Sequence, residues 1–444
     1  MKNLRLALGG LLLMAGTTWM LAPRVSGDTT DSTPVRVIVQ GDGASEAVTR
    51  EGGEITHTLG IIDAVTARVD ATQRDRLVAA GFRIHEDAVV ETSGKGGGGG
   101  KDGGGGKDGG AVGQETFFPG LIDADRVHAM GITGKGVRIA FVDTYMPGFS
   151  TAPGLNLDTN GLSRGNTLHY TSGDPGAHVD HGHANHVIGV AANSLATRQG
   201  AYNGIAPDAS ITLCNAFRDD GSATYSDVIA GIDWVVQQSQ YDHISQSGTT
   251  RIRVLNLSFS APARSHYWDD PLNQAVMRAW DAGIVVVAAA GNTGPDPMTV
   301  GVPGNNPYII TVGAMTDNFT PDQGSDDELA SFSSTGPTHE GFVKPEIVAP
   351  GGHLRAVLNK DSVLAKDHQE FFDRKNYFMM SGTSQATAVV SGIVALMLDA
   401  EPNLTPDEVK CRLMASARAA VASVVAPGSV SAAPVGRVAS ACCT

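Results

Sequence analysis

The chain predicts an α/β fold in three layers, a mostly parallel sheet with helices on both faces, and three observations lead there. Short apolar runs at residues 137–142, 211–213, 254–257, 284–290 and 309–312 read as strands. Residues 228–237 and 272–282 read as helices placed between them. Each run is apolar almost throughout rather than at alternate positions, the pattern of strands buried on both faces. With 444 residues and 41% apolar side chains, the chain can fill one large core and carry accessory units.

Residues 1–27 carry Lys2 and Arg5, an apolar run at 6–14, and small residues at Ser26 and Gly27, which reads as a secretory signal peptide. The rival is an uncleaved anchor, but Gly9, Gly10, Thr17 and Thr18 dilute the apolar stretch. Residues 34–92 form a small α+β pattern. Residues 35–40 and 64–69 look like strands, Asp70 caps a helix over 71–80 that Gly81 ends, and 83–90 supply one or two further strands. This unit is small for an independent core, so a partner surface is expected. The glycine-rich segment within 93–114 cannot bury apolar surface and reads as a flexible linker and domain boundary. The large α/β unit follows at 115–423, and 424–444 decays into a weakly ordered Ala, Val, Ser and Pro tail.

A net charge of −14 and a pI near 5.3 exclude a phosphate-tracking surface, so no nucleic-acid partner is expected. Cys214, Cys411, Cys442 and Cys443 are too few and too scattered for a disulfide framework.

Chemistry-bearing side chains fall at the ends of these elements. Ser384 opens a segment, 386–398, that is apolar on nearly every face and must be buried as a helix. A serine there is either a helix cap or a nucleophile at the positive end of the helix. Asp143 follows the first strand of the large unit, and Asn292 follows the run at 284–290. Between them lie His178, Asp180, His181, His183 and His186, leading into an apolar helix. An acid, an imidazole, an amide and a helix-terminal serine are the set that acyl transfer requires. Four histidines with Asp180 could instead ligate zinc, although the glutamate of an H-E-x-x-H metalloprotease is absent.

At these residues the chain resembles the subtilisin-like serine proteases (peptidase S8), over most of 117–417. Gly382-Thr383-Ser384-Gln385-Ala386-Thr387 resembles the nucleophile motif, Gly182-His183-Ala184-Asn185-His186-Val187-Ile188-Gly189 the histidine motif, Ala140-Phe141-Val142-Asp143-Thr144 the aspartate motif, and Ala289-Ala290-Gly291-Asn292 the oxyanion asparagine. Gly204-Ile205-Ala206-Pro207, the serine-rich stretch at 330–337 and Lys344-Pro345-Glu346 through Pro350 match in the same order. The acid and histidine precede the serine, unlike the order of an α/β-hydrolase.

The resemblance implies a secreted serine endopeptidase acting on protein or peptide substrates. Ser384 attacks, His183 moves the proton, Asp143 orients His183, and Asn292 with the Ser384 N–H binds the oxyanion. Alignment on His186 selects His183 over His181, and leaves His186 a packed helical histidine and His178 and His181 loop residues. Gly221-Ser222 and Ser258-Phe259-Ser260 resemble the segments that sandwich a substrate strand. Gly301 resembles the pocket floor, leaving room for large apolar or aromatic residues.

The 34–92 unit resembles the family's inhibitory propeptide, a ferredoxin-like α+β domain that ends inside the cleft and makes the protein a zymogen. Self-cleavage is expected between about residues 91 and 117, with no stable membrane association after the leader is removed. No cofactor is needed for the chemistry. Calcium commonly stabilises the family, but no ligand set is matched here, and Asp326-Asp327-Glu328 reads as a solvated acidic loop. A catalytically silent binding scaffold and a histidine-cluster metal protein are the alternatives. The chain departs from the family at Thr144-Tyr145, Ser260, Gln385 and Ala388, and residues 354–376 read as an inserted surface loop.

Overall fold

The computed structural model describes residues 33–92, 116–146, 168–169, 179–196, 201–245, 251–321, 326–372 and 377–418. The expected leader at 1–27, the linker at 93–114, His178 and the tail at 424–444 lie outside the described residues.

The N-terminal unit comprises β1 (Val35–Gln40), α1 (Ala44–Arg50), β2 (Glu54–Leu59), β3 (Ala64–Val69), α2 (Ala71–Ala79), β4 (Arg83–Glu86) and β5 (Val89–Thr92). Its sheet runs β2-β3-β1-β4, every pairing antiparallel. Asp70 caps α2 as the sequence implies: its carboxylate accepts the Gln73 N–H at 2.8 Å while Gln73 Oε1 accepts the Asp70 N–H at 2.9 Å. A cap of this kind stabilises a helix by about 1 kcal/mol.

The period-2 alternation of β1 explains why this unit needs a partner. Val37 and Val39 point into a small core with Val48 and Leu77, whereas Ile38, from the opposite face, joins the core of the large unit. Gln40 donates to Gln274 Oε1 at 2.6 Å, and Asp233 accepts the Ile61 N–H at 3.2 Å.

The large unit begins with short helices α3 (Phe118–Leu121) and α4 (Ala124–Ala129). It continues through β6 (Arg138–Asp143), β7 (Leu168–His169), α5 (His183–Ala192), β8 (Ser210–Asn215), β9 (Ser222–Thr224), α6 (Tyr225–Ser245), β10 (Ile252–Leu257), β11 (Phe259–Ser260), α7 (Pro271–Asp281), β12 (Val285–Ala289), β13 (Ile310–Thr316) and β14 (Glu328–Leu329). The remaining elements are β15 (Ile347–Pro350), β16 (Leu354–Val357), α8 (Val363–Asp367), β17 (Tyr377–Met380), α9 (Thr383–Ala400) and α10 (Pro406–Ser416).

The main sheet runs β14-β13-β12-β10-β6-β8-β7, with β15 also on β13, and is parallel except at β14. Every residue of β6 and β12 is buried, as strands covered on both faces require. Helices α5 and α9 cover one face, and α6 and α7 the other. Helix α9 has the length and hydropathy of a membrane span, yet it is packed inside this core.

Two sequence expectations need correction. The helix expected over 228–237 runs from Tyr225 to Ser245, because the polar stretch after Val236 continues as its outer side while Ser239 donates to the Ile252 carbonyl at 2.8 Å. Residues 354–376 are not a plain surface loop. β16 pairs antiparallel with β17, and Leu358, Leu364, Ala365, Phe378 and Met380 form a core of their own.

Candidate active site

Three parallel strands end at one edge of the molecule and carry the acid, the amide and a substrate segment there. Asp143 is the last residue of β6 rather than the first residue after it. Its Oδ1 accepts the Thr144 N–H at 2.7 Å and lies 2.8 Å from His183 Nδ1. Both side chains are fully buried. With the Nδ1 proton donated to Asp143, Nε2 is the lone-pair nitrogen, the form a general base needs.

His183 is the first residue of α5, and Gly182 before it has a φ of +100°. Thr144 Oγ1 accepts the Ala184 N–H at 3.1 Å, satisfying a backbone donor that helix geometry leaves without a partner. The residue after Asp143 therefore holds the helix that begins with His183.

Ser384 stands in the first turn of α9, as the burial of that helix implies. Its hydroxyl donates to the Ser258 carbonyl at 2.9 Å, and the Ser258 hydroxyl donates back to the Ser384 carbonyl at 3.1 Å. Among the described residues His183 Nε2 is buried without a hydrogen-bond partner. Serine and imidazole are thus brought to the same edge, with the hydroxyl turned to Ser258. Asn292 Oδ1 accepts both the N–H and the Oγ1 of Thr383, at 2.9 and 3.0 Å. That pairing orients the amide so that Nδ2 is its donor end.

The two segments that the resemblance marks for substrate flank an extended strand, and that strand is the chain's own β5. It pairs antiparallel with β9 on one side (Val90 with Ala223, Glu91 with Ser222) and with β11 on the other (Thr92 with Phe259, Glu91 with Ser260). Thr92 also donates its N–H to the Gly221 carbonyl at 3.1 Å. Gly221 has φ +78°, and a Cβ there would sit 3.0 Å from both His181 Nε2 and Thr92 Oγ1. The strand approaches too closely for a side chain.

Gly301 has another backbone segment packed against its Cβ position. A Cβ there would meet the Ala261 carbonyl at 2.6 Å and Ser260 Cβ at 3.2 Å. The glycine allows the close approach of these two backbones.

The histidines separate by environment. His186 is buried, its Nε2 3.0 Å from the Phe378 carbonyl, and desolvation pushes its pKa down to about 4. His181 lies in the loop before the helix but is buried beside Gly221, and burial, then the neighbouring His183, lowers it to about 4. Burial raises Asp180 to about 6 even though Asn359 Nδ2 donates to it at 2.9 Å. Among the described residues no group of three or more His, Cys, Asp or Glu side chains is placed to hold a metal ion. Asp326, in the acidic loop, is engaged by the Thr320 hydroxyl at 2.6 Å.

Several supporting contacts had no signal in the sequence. The 354–376 insertion is clamped on the histidine segment: Val363 N–H donates to the Asp180 carbonyl at 2.9 Å and Leu364 N–H to the His181 carbonyl at 3.1 Å. Gln385, where the family has methionine, places Nε2 3.4 Å from His186 Nδ1. From the N-terminal unit, Asp87 caps α6, accepting the Ser226 N–H and hydroxyl at 2.8 Å each, while Arg36 Nε lies 2.6 Å from it.

Comparison with known proteins agrees with this arrangement. The profile of the Subtilase family (Peptidase_S8) matches residues 134–432. The chain is 39% identical over 279 residues to the serine protease AprX of Bacillus subtilis (strain 168), covering 63% of this chain and 60% of AprX. It is 30% identical over 299 residues to subtilisin DY of Bacillus licheniformis, covering 67% of this chain and 89% of that protein. The fold of fervidolysin from Fervidobacterium pennivorans, described as a keratinolytic enzyme related to subtilisin, superposes with a TM-score of 0.61 at 21% identity, over 87% of this chain and 58% of that one. The chain thus spans less than two thirds of AprX, and the likeness to fervidolysin concerns the fold alone. Together the ordered motifs, the parallel sheet and the profile over residues 134–432 establish that this chain belongs to the subtilase family.

Proposed function

We propose that the protein is a secreted serine endopeptidase made as a zymogen, with Asp143, His183 and Ser384 as its triad. The observation that carries this reading is the seating of β5 between β9 and β11, one residue from Ser258, whose carbonyl receives the Ser384 hydroxyl. A peptide strand bound there brings its backbone to the nucleophile. The 34–92 unit acts as the inhibitory propeptide, and the 1–27 leader directs export. The linker at 93–114 joins it to the catalytic unit at 115–423.

In the reaction the Ser384 hydroxyl swings from Ser258 to His183 Nε2, which takes its proton as Oγ attacks the peptide carbonyl. Asp143 holds the imidazole and stabilises the imidazolium. Asn292 Nδ2 and the Ser384 N–H donate to the oxyanion. His183 then protonates the leaving amine, and water attacks the acyl-enzyme by the reverse route. Residue preference is set by the pocket bounded by Ser260, Gly291 and Gly301.

Purified parent protein and Ser384→Ala test the reading. The parent is expected to shed its N-terminal unit and hydrolyse denatured casein, with sensitivity to phenylmethylsulfonyl fluoride but not to chelators. Processing or casein hydrolysis by purified Ser384→Ala contradicts it.

A further inference from the structure

Three backbone segments meet at Ser260, two residues after Ser258, whose carbonyl receives the Ser384 hydroxyl. Ala261 and Val302 exchange hydrogen bonds of 3.0 and 2.8 Å, lacing the two walls together. The Gly301 N–H donates to the Ala290 carbonyl at 3.0 Å, tying in the third segment. Ser260 Cβ lies 3.2 Å from where a Gly301 Cβ would be, and its Oγ 3.2 Å from where a Gly291 Cβ would be. Ser334 Oγ would be 2.9 Å from that same Cβ. The Ser260 side chain therefore fills the interval between Gly291 and Gly301, next to Asn292.

The chain's own sequence points the same way. In β5, Glu91 pairs with Ser260 and Thr92 with Phe259. In sequence, Thr92 at the end of β5 is followed by Ser93 and Gly94, both small.

We propose that the enzyme cleaves after small residues, Ser, Ala or Gly, and that Ser260 sets the limit by occupying the space a larger side chain needs. This rests on the hydrolase reading and replaces the large-residue preference implied by the family resemblance. A large side chain can enter only by displacing Ser260 or parting the 261–302 lacing, and close-packed walls give way at a cost.

The test uses the self-processed protein and internally quenched peptides of one sequence that differ only before the cleaved bond, as Ser, Ala, Leu or Phe, with the cleavage position read by mass spectrometry. The parent is expected to favour Ala and Ser over Phe in kcat/KM by roughly 10-fold or more, the scale of discrimination a tight pocket achieves. Ser260→Gly is expected to raise the Phe-to-Ala ratio by at least about 10-fold, and Ser260→Ala to raise it less. A parent that prefers Phe or Leu overturns the proposal even if Ser260→Gly fails to fold, and so does an unchanged ratio in a folded Ser260→Gly. A parent that cleaves none of the peptides and takes no fluorophosphonate on Ser384 overturns the hydrolase reading beneath it.

Discussion

Thr144 Oγ1 accepts the Ala184 N–H at 3.1 Å, tying the residue after Asp143 to the first turn of the helix that begins with His183. The acid and the base thus share a brace beyond their own 2.8 Å contact. Thr144→Val keeps the shape and removes the acceptor, leaving a buried N–H unpaired at a cost of about 1–2 kcal/mol. Expected are a lower melting temperature and a kcat reduced by roughly 10-fold with KM nearly unchanged, because a small misplacement of a reacting group is costly. Thr144→Ser should restore both. Equal kcat in the parent and Thr144→Val would show that the Asp143 contact alone suffices.

Asn292 is held through Oδ1 by Thr383, which leaves Nδ2 as the end that would face the oxyanion in the proposed reaction. Asn292→Ala is expected to lower kcat by roughly 10² to 10³, a magnitude carried over from the corresponding asparagine of subtilisin rather than derived from this structure. KM should change little, since the oxyanion exists only in the transition state. A loss confined to KM would remove Asn292 from the oxyanion site.

Asp180 makes stability depend on pH in a direction opposite to the ordinary surface carboxylate. Burial raises it to about 6, so between about 4 and 6 the folded protein binds more protons there than the unfolded chain does. Its contribution becomes unfavourable as pH rises through 6. Asp180→Asn removes that cost while keeping a polar partner for Asn359. The variant's melting temperature should match the parent's near pH 4 and exceed it above pH 6, by on the order of 2 kcal/mol in stability. A gap that is largest at pH 4 contradicts this account. His181 and His186, both lowered to about 4, act with the opposite sign: the unfolded chain takes up protons below pH 6.5 that the folded protein refuses.

Arg36 lies against Asp87 at 2.6 Å and within 3.5 Å of Asp227, a cation from the N-terminal unit between a carboxylate of its own and one of the catalytic unit. Arg36→Ala leaves both carboxylates buried without it, a costly change at an interface. After self-cleavage the N-terminal unit is expected to leave at least about 10-fold faster, read as an earlier rise of peptidase activity. An unchanged lag would place the hold elsewhere, on β5 pairing alone.

The sheet was legible because its strands are continuous apolar runs, and Asp143, Asn292 and Ser384 were legible because each stands at an element end. The braces were not. Thr144, Thr383 and Gln385 act on partners 40, 91 and 199 positions away in sequence, and no local pattern announces such a pairing. The 354–376 insertion escaped for a different reason: its four-residue strands and five-residue helix are too short to show a period. At Gly301 the sequence is equally consistent with open space and with a backbone pressed against the glycine, and the 2.6 Å approach of the Ala261 carbonyl to its Cβ position is visible only in three dimensions.

The central claim is that Ser384 is a nucleophile activated by His183. A fluorophosphonate probe applied to the processed protein, with the adduct mapped by peptide mass spectrometry, tests it most directly. The account predicts stoichiometric labelling on Ser384 that is lost in His183→Ala. Labelling on another residue, or none in protein that hydrolyses casein, would contradict it.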